Sequence, residues 1–208
     1  MKLQLALDTL PLDECLKLLD ETQDFIDIIE VGTPFIIEEG MNPVRVIKSK
    51  FPNILVLADT KIMDAGSIEA KSAFKAGADI ITVLGAANDE TIIDAVKVAQ
   101  EFKSKVMVDM IAIKNLEERT QQIDLLGVDY ICVHTAFDIQ STGQSPLDEL
   151  KIVNRVIKNA KSAVAGGVKL STVDSIVNEG TEIVIVGGAI SNASNRAEMA
   201  MQIKHHLK

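Results

Sequence analysis

Leu55-Val-Leu-Ala-Asp-Thr-Lys-Ile-Met-Asp64 is an apolar run that ends in two carboxylates and an ammonium. Ile54 to Ala58 has the unbroken hydrophobicity of a strand buried on both faces, as in a parallel sheet covered by helices. Ala65 to Ala76 continues at helical spacing, which places Asp59, Lys61 and Asp64 in a strand-to-helix turn. Parallel α/β proteins gather their chemistry in such turns.

The same unit recurs on both sides of this stretch. Upstream, Lys2 to Asp8 reads as a strand and Pro11 to Glu21 as a helix with Pro in its first turn. Ile26 to Val31 is a second strand, with Glu30 at its end. Thr33 to Gly40 is too long for a plain turn and predicts one short helical turn before the helix Pro43 to Lys50. Downstream, strands are expected at Ile80–Leu84, Lys105–Met110, Tyr130–Val133 with His134 closing it, Ser162–Ala165 and Glu182–Val186. Helices are expected at Asp89–Phe102, Leu116–Leu126, Leu147–Asn159, Thr172–Glu179 and Ser191–His206. Gly77-Ala-Asp79 and Gly127-Val-Asp129 each precede an apolar strand, a weak internal repeat. The polar loop 135–145, with Gly143, is long enough to be a lid.

Eight short apolar strands alternating with eight helices, and no hairpin signal, specify a parallel sheet. Eight full repeats favour closure into a (β/α)8 TIM barrel, one domain over residues 1–208. An open dinucleotide-binding sheet loses its main support, because the first turn, Asp8-Thr-Leu-Pro-Leu12, has no Gly-x-Gly-x-x-Gly.

Composition narrows the function. A chain of 208 residues with 47% apolar content can build one full core. A net charge of −9 without a basic cluster excludes a nucleic-acid partner, and one Tyr with no Trp excludes a base-stacking platform. No run reaches the roughly 18 apolar residues of a membrane span, and the chain enters a strand without a signal-peptide pattern, so a soluble cytoplasmic protein is expected. Cys15 and Cys132 lack metal-ligand spacing and read as buried, reduced core residues.

Closure would bring Asp8, Glu30, Asp59, Lys61, Asp64, Asp109 and His134 onto one rim. Asp64 is equally suited to capping the next helix, and Asp8 and Asp109 to binding loop amides. Glu30 and Asp59 end buried strands, where unpaired carboxylates are costly, so they require a cation. That cation is either Lys61, in a structural ion pair, or a hard divalent ion completed by substrate oxygens and water. Without nearby Cys or paired His, zinc is disfavoured. An imidazole such as that of His134 suits proton transfer near neutral pH, or is a hydrogen-bonded structural group. Gly166-Gly167 and Gly187-Gly188 follow the last two strands, where barrels bind phosphate through backbone amides; either pair alone is satisfied as a turn.

With Asp59-Thr-Lys-Ile-Met-Asp64 on the third strand, the chain resembles the orotidine 5′-monophosphate decarboxylase superfamily, marked by Asp-x-Lys-x-x-Asp there. Within it, the chain more specifically resembles the 3-hexulose-6-phosphate synthases. The segments that carry this are Leu3–Asp8, Ile29–Pro34, Leu57–Gly66, Ala78–Gly85, Val108–Met110, Gly127–Thr135 and Ala165–Gly167, essentially the whole length. The resemblance implies an aldolase: Mg²⁺-dependent condensation of formaldehyde with D-ribulose 5-phosphate to D-arabino-hex-3-ulose 6-phosphate, through a metal-stabilised enediolate, in formaldehyde fixation. It implies Glu30 and Asp59 as Mg²⁺ ligands, with Mn²⁺ an alternative metal, Asp8 as a substrate contact and His134 as the proton-transfer residue. It also implies a homodimer, with Lys61 and Asp64 completing the charged motif and Asp64 reaching the partner's site. The charged residues fit this chemistry: a metal chelated by two substrate oxygens offsets the enediolate charge, Lys61 adds a fixed positive charge, and His134 or Asp64 serves as base.

Three rivals remain. A 3-keto-L-gulonate 6-phosphate decarboxylase would carry Arg three residues after the strand-six His, where this chain has Phe137. A Schiff-base aldolase would need a neutral Lys61, which two flanking carboxylates oppose. A non-catalytic sugar-phosphate-binding barrel would need only the glycine loops.

Overall fold

The computed structural model describes residues 1–140 and 145–208; Gly143 and the centre of the expected lid lie outside the described residues. The strands are β1 (Lys2–Leu7), β2 (Ile28–Val31), β3 (Leu55–Ile62), β4 (Ile80–Leu84), β5 (Lys105–Asp109), β6 (Tyr130–His134), β7 (Lys161–Ala165) and β8 (Ile183–Val186). The helices are α1 (Leu12–Thr22), α2 (Thr33–Glu39), α3 (Asn42–Lys50), α4 (Gly66–Lys75), α5 (Asp89–Phe102) and α6 (Leu116–Asp124). They continue as α7 (Phe137–Gln140), α8 (Leu147–Val156), α9 (Val173–Glu179), α10 (Gly188–Ser191) and α11 (Arg196–His206). All strand pairs are parallel, and β8 pairs with β1, so the eight strands close into the expected barrel.

Alternation along each strand divides the apolar residues into two sets. Ile28, Leu57, Ile80, Met107, Tyr130, Cys132, Ala163 and Ile183 fill the barrel interior. Their neighbours in sequence, such as Ile29, Val56, Ala58, Ile81, Val108, Ile131, Val133 and Val184, face the helices in the larger outer core. A strand buried on both faces is the origin of the continuous hydrophobic runs. Cys15 belongs to the outer core and Cys132 to the inner one, both buried.

The aspartates of the Gly-x-Asp repeat, Asp79 and Asp129, have a mechanical role that Asp27 shares without a preceding glycine. Asp27, Asp79 and Asp129 each precede an even-numbered strand and accept the backbone N–H of Leu3, Val56 and Val106 on the odd-numbered strand before it, at 2.7, 2.7 and 3.0 Å. Each carboxylate thereby ties two neighbouring strands at the N-terminal end of the barrel.

Four local expectations change. β3 runs on through Ile62, so Asp59 and Lys61 lie in the strand and only Asp64 lies in the turn. The segment after β2 forms a seven-residue helix, α2, with Pro at its first turn. A short α7 follows β6. The last helix starts at Arg196 instead of Ser191, because Asn195 caps it by accepting the Glu198 N–H at 3.1 Å, and the short α10 precedes it. No described helix is long and apolar enough to cross a membrane.

Candidate active site

The inward positions at the C-terminal ends of the strands are polar. Gln4, Glu30, Asp59, Lys61, Thr82, Asp109 and His134 line one cavity whose floor includes Leu57, Met107 and Cys132, with Ala165 and Ile185 on the wall. About 20 Å³ of it is open to the centre of a water-sized sphere, on the order of one ordered water or small ion. Glu30, Asp59, Lys61 and His134 therefore meet, as the sequence predicts.

Lys61 Nζ donates to Asp59 Oδ2 at 2.7 Å and to Asp109 Oδ2 at 2.9 Å. Burial alone would lower its pKa; the two carboxylates outweigh that and raise it. Lys61 is thus an ammonium, which removes the Schiff-base reading. Its flanking acids are Asp59 and Asp109, not the Asp64 of its own motif.

Asp109 is 3% exposed and takes three donors. They are Lys61, the Ile111 N–H at 2.9 Å and His134 Nδ1 at 2.9 Å. Burial would raise its carboxyl, but the His134 hydrogen bond and charge, with Lys61, hold it below the ordinary value. The expectation that Asp109 binds a loop amide is met, and the same side chain also joins Lys61 to His134. The carboxylate can only accept, so Nδ1 carries a proton in either form of the ring, and in the neutral form the lone pair is on Nε2.

Glu30 is held differently. Its hydrogen bond comes from Gln4 Nε2 at 2.6 Å, and Lys61 does not pair with it. Burial first, then the Asp59 charge, push its carboxyl up to about 8 against the opposing effect of Gln4. Asp8 is likewise raised, by burial and then by Asp59. The β1–β3 side of the cavity thus lacks a cation that would hold these carboxyls ionised. Among the described residues no group of three His, Cys, Asp or Glu is placed to hold a metal alone. A pair of carboxylates left short of positive charge, an all-oxygen donor set and space for one ion still fit a divalent cation completed by substrate and water.

Asp59 is fixed from three sides: Thr33 Oγ1 donates to Oδ2 at 2.8 Å, Lys61 to the same oxygen, and Thr82 Oγ1 to Oδ1 at 2.7 Å. Asp8 stands at the end of β1 against Gly32, where a Cβ would lie 2.0 Å from Asp8 Oδ1; only glycine leaves room for that carboxylate. Asp64 is not brought into this cavity. It is exposed and accepts the Ala65 N–H at 2.7 Å, one residue ahead of the helix it was expected to cap.

Gly166-Gly167 and Gly187-Gly188 follow the adjacent strands β7 and β8, next to the wall formed by Ala165 and Ile185. Gly166 has φ 94, and a Cβ there would lie 2.3 Å from the Thr135 carbonyl. The backbones after β6 and β7 approach that closely only because the side chain is absent.

Sequence reasoning missed Gln4, Thr33 and Thr82. The signal for two of them was present, as single polar residues inside apolar strands, Leu3-Gln-Leu5 and Ile81-Thr-Val83.

Residues 1–203 match the orotidine 5′-phosphate decarboxylase / HUMPS family. The chain is 50% identical over 204 residues to the 3-hexulose-6-phosphate synthase of Bacillus subtilis (strain 168), covering 98% of this chain and 97% of that one. The crystal structure of 3-hexulose-6-phosphate synthase from Salmonella typhimurium superposes with a TM-score of 0.98 at 44% identity, over 100% of this chain and 98% of that one. The 3-keto-L-gulonate-6-phosphate decarboxylase of Vibrio cholerae gives 0.87 at 26% identity, over 99% and 96%.

Proposed function

This chain belongs to the orotidine 5′-phosphate decarboxylase / HUMPS family, and from that membership we propose that it catalyses the 3-hexulose-6-phosphate synthase reaction. The substrates are formaldehyde and D-ribulose 5-phosphate, and the product is D-arabino-hex-3-ulose 6-phosphate. The observation that carries this reading is the single cavity in which Glu30, Asp59, Lys61, Asp109 and His134 meet. The whole-length likeness to synthases at 44 and 50% identity, against 26% for a decarboxylase, supports it.

In this reading His134 Nε2 takes the proton from C1 of the ketose, with Asp109 fixing the ring through Nδ1. The resulting carbon nucleophile bonds to the formaldehyde carbon, and the aldehyde oxygen takes up a proton to become the new hydroxyl. The Lys61 ammonium lies beside the developing oxyanion and is held in place by its two carboxylates. Glu30 and Asp59 would hold Mg²⁺ or Mn²⁺. That ion, when bound, supplies Lewis-acid polarisation of the substrate oxygens. Asp8 contacts the sugar, and the amides of Gly166, Gly167, Gly187 and Gly188 receive the phosphate. His134 is preferred as base because its ring lines the cavity and is oriented through Nδ1 by the buried Asp109.

The protein acts as a cytoplasmic homodimer. Met63 and Ile68, 52% and 72% exposed, flank Asp64, and Ile37 is 79% exposed; a partner covering them would receive Asp64 at its own site. The test is formaldehyde consumption with ribulose 5-phosphate, abolished by EDTA and restored by Mg²⁺, run beside CO₂ release from 3-keto-L-gulonate 6-phosphate. Faster CO₂ release than condensation, or no condensation at all, sinks the assignment.

A further inference from the structure

Strands β3 and β4 do not match residue for residue. Ala58 pairs with Ile81 and Ile62 with Val83, so Asp59, Thr60 and Lys61 all face the single residue Thr82. A bulge of this kind leaves groups without ladder partners and redirects side chains. Here each of the three is tied to Thr82. Its carbonyl accepts from Thr60 Oγ1 at 2.8 Å, its Oγ1 accepts the Lys61 N–H at 2.9 Å, and its hydroxyl proton goes to Asp59 Oδ1 at 2.7 Å. Thr82 is 4% exposed and lines the cavity.

Two features make this hydroxyl hard to replace. Lys61 has φ 45, a left-handed conformation that is unfavourable for a residue with a Cβ and persists only where surrounding bonds enforce it. The bond from its N–H to Thr82 is one such constraint. In addition, Asp59 Oδ1 has no other donor among the described residues, since Thr33 and Lys61 both serve Oδ2. A hydroxyl carries one proton, and with the Lys61 N–H occupying a lone pair, that proton is committed to Asp59.

We propose that Thr82 is a positioning residue for the reaction: through one hydroxyl it sets both the carboxylate of Asp59 and the backbone of Lys61. Resting on the function proposed above, this makes Thr82 the common support of a cation ligand and of the ammonium that spans Asp59 and Asp109. Thr82 touches no reacting atom and acts only through those two residues.

The experiment compares the wild-type protein with Thr82→Val, Thr82→Ala and Thr82→Ser. Turnover is measured with ribulose 5-phosphate and formaldehyde, and Mn²⁺ affinity by calorimetry with the metal alone. Loss of a group that orients a metal ligand costs about 10–100-fold in metal affinity or activity. Thr82→Val is therefore expected to lower kcat and weaken Mn²⁺ binding by about that factor. KM for the sugar phosphate should stay within about threefold, because the phosphate is gripped elsewhere, and Thr82→Ser should restore both losses. Thr82→Ala removes the hydroxyl without filling its space and decides the case if the valine variant does not fold.

Equal Mn²⁺ affinity and kcat in hydroxyl-free and wild-type proteins overturn the proposal. So does a serine variant as impaired as the valine one, which would assign the loss to packing. Failure of both hydroxyl-free variants to fold makes the hydroxyl a prop of the barrel and likewise overturns it. If the wild-type protein binds Mn²⁺ but performs no condensation, the proposed function falls while the Mn²⁺ comparison still decides the role of Thr82.

Discussion

Replacing Asp109 by Asn tests the network that joins the third, fifth and sixth strands. The amide keeps the size of the carboxylate but can accept on one side only. With its oxygen toward Lys61 and His134, its NH₂ faces the Ile111 N–H and a backbone donor is orphaned at a cost of about 1–3 kcal/mol. With its oxygen toward Ile111, its NH₂ faces an ammonium and His134 Nδ1. The imidazole proton must then move to Nε2, which removes the lone pair from the mouth. Breaking a buried pair outright costs about 3–5 kcal/mol, but Lys61 retains Asp59, so the loss should be roughly 2–3 kcal/mol near pH 7. The sign with pH follows from the lowered carboxyl of Asp109. Its contribution is complete above the unfolded value near 4 and disappears as pH falls through the still lower folded value. Urea unfolding should therefore show a constant gap between wild type and Asp109→Asn from about pH 5 to 9 that closes below about pH 4. Turnover should fall by about 10²–10⁴-fold, the usual worth of a positioned general base. A variant within about 0.5 kcal/mol of wild type across that range, turning over at the wild-type rate, would refute the role given to Asp109.

Glu30 gives the opposite slope. Its folded carboxyl holds a proton up to about pH 8 against an ordinary 4.5, so in EDTA the wild type should lose stability as pH rises through that window. At about 1.4 kcal/mol per pH unit the loss is bounded near 5 kcal/mol, and Glu30→Gln should flatten it in urea titrations at pH 5.5 and 8.5. Mg²⁺ at pH 8 should raise the melting temperature of wild type and not of that variant. Gly32→Ala should impair turnover and cost about 1–3 kcal/mol, because the new methyl meets Asp8 Oδ1 at 2.0 Å and the Leu7 carbonyl at 2.8 Å; wild-type kinetics would show that Asp8 tolerates displacement. Asp59→Asn and Lys61→Ala should abolish turnover while circular dichroism stays that of a folded barrel, and residual activity free of host enzyme speaks against both roles.

The barrel was legible because its physics is repetitive. A strand covered on both faces must be apolar throughout, and eight such strands with intervening helices leave closure as the economical arrangement. What sequence could not give was local phase. Nothing in Asp-Thr-Lys-Ile announces that β3 continues past its carboxylate, since charged residues at that point read as a turn. The continuation depends on Thr82, whose bonds to Asp59, Thr60 and Lys61 span 21 to 23 positions along the chain. The break between α10 and α11 was legible in principle, since Asn195 three residues before Glu198 is a helix-start signal.

For the site, sequence named the members and one pairing, Lys61 with Asp59, which holds at 2.7 Å; the second partner was not foreseen. Lys61 was the natural partner for whichever strand-end carboxylates lay nearest in the chain, but barrel register brings Asp109, 48 positions away, to 2.9 Å. That choice divides the cavity. On one side Lys61, Asp109 and His134 are joined through the Asp109 carboxylate, which accepts from both. On the other, Glu30 and Asp8 have carboxyls pushed upward by burial and by Asp59, and Gln4 gives Glu30 a neutral hydrogen bond in place of a charge. The second side is left without a cation because Lys61 is committed to Asp59 and Asp109. Had Lys61 turned to Glu30, that carboxyl would be ionised and paired, His134 would lose its bridge to the ammonium, and the β1–β3 side would offer nothing to the cation proposed above.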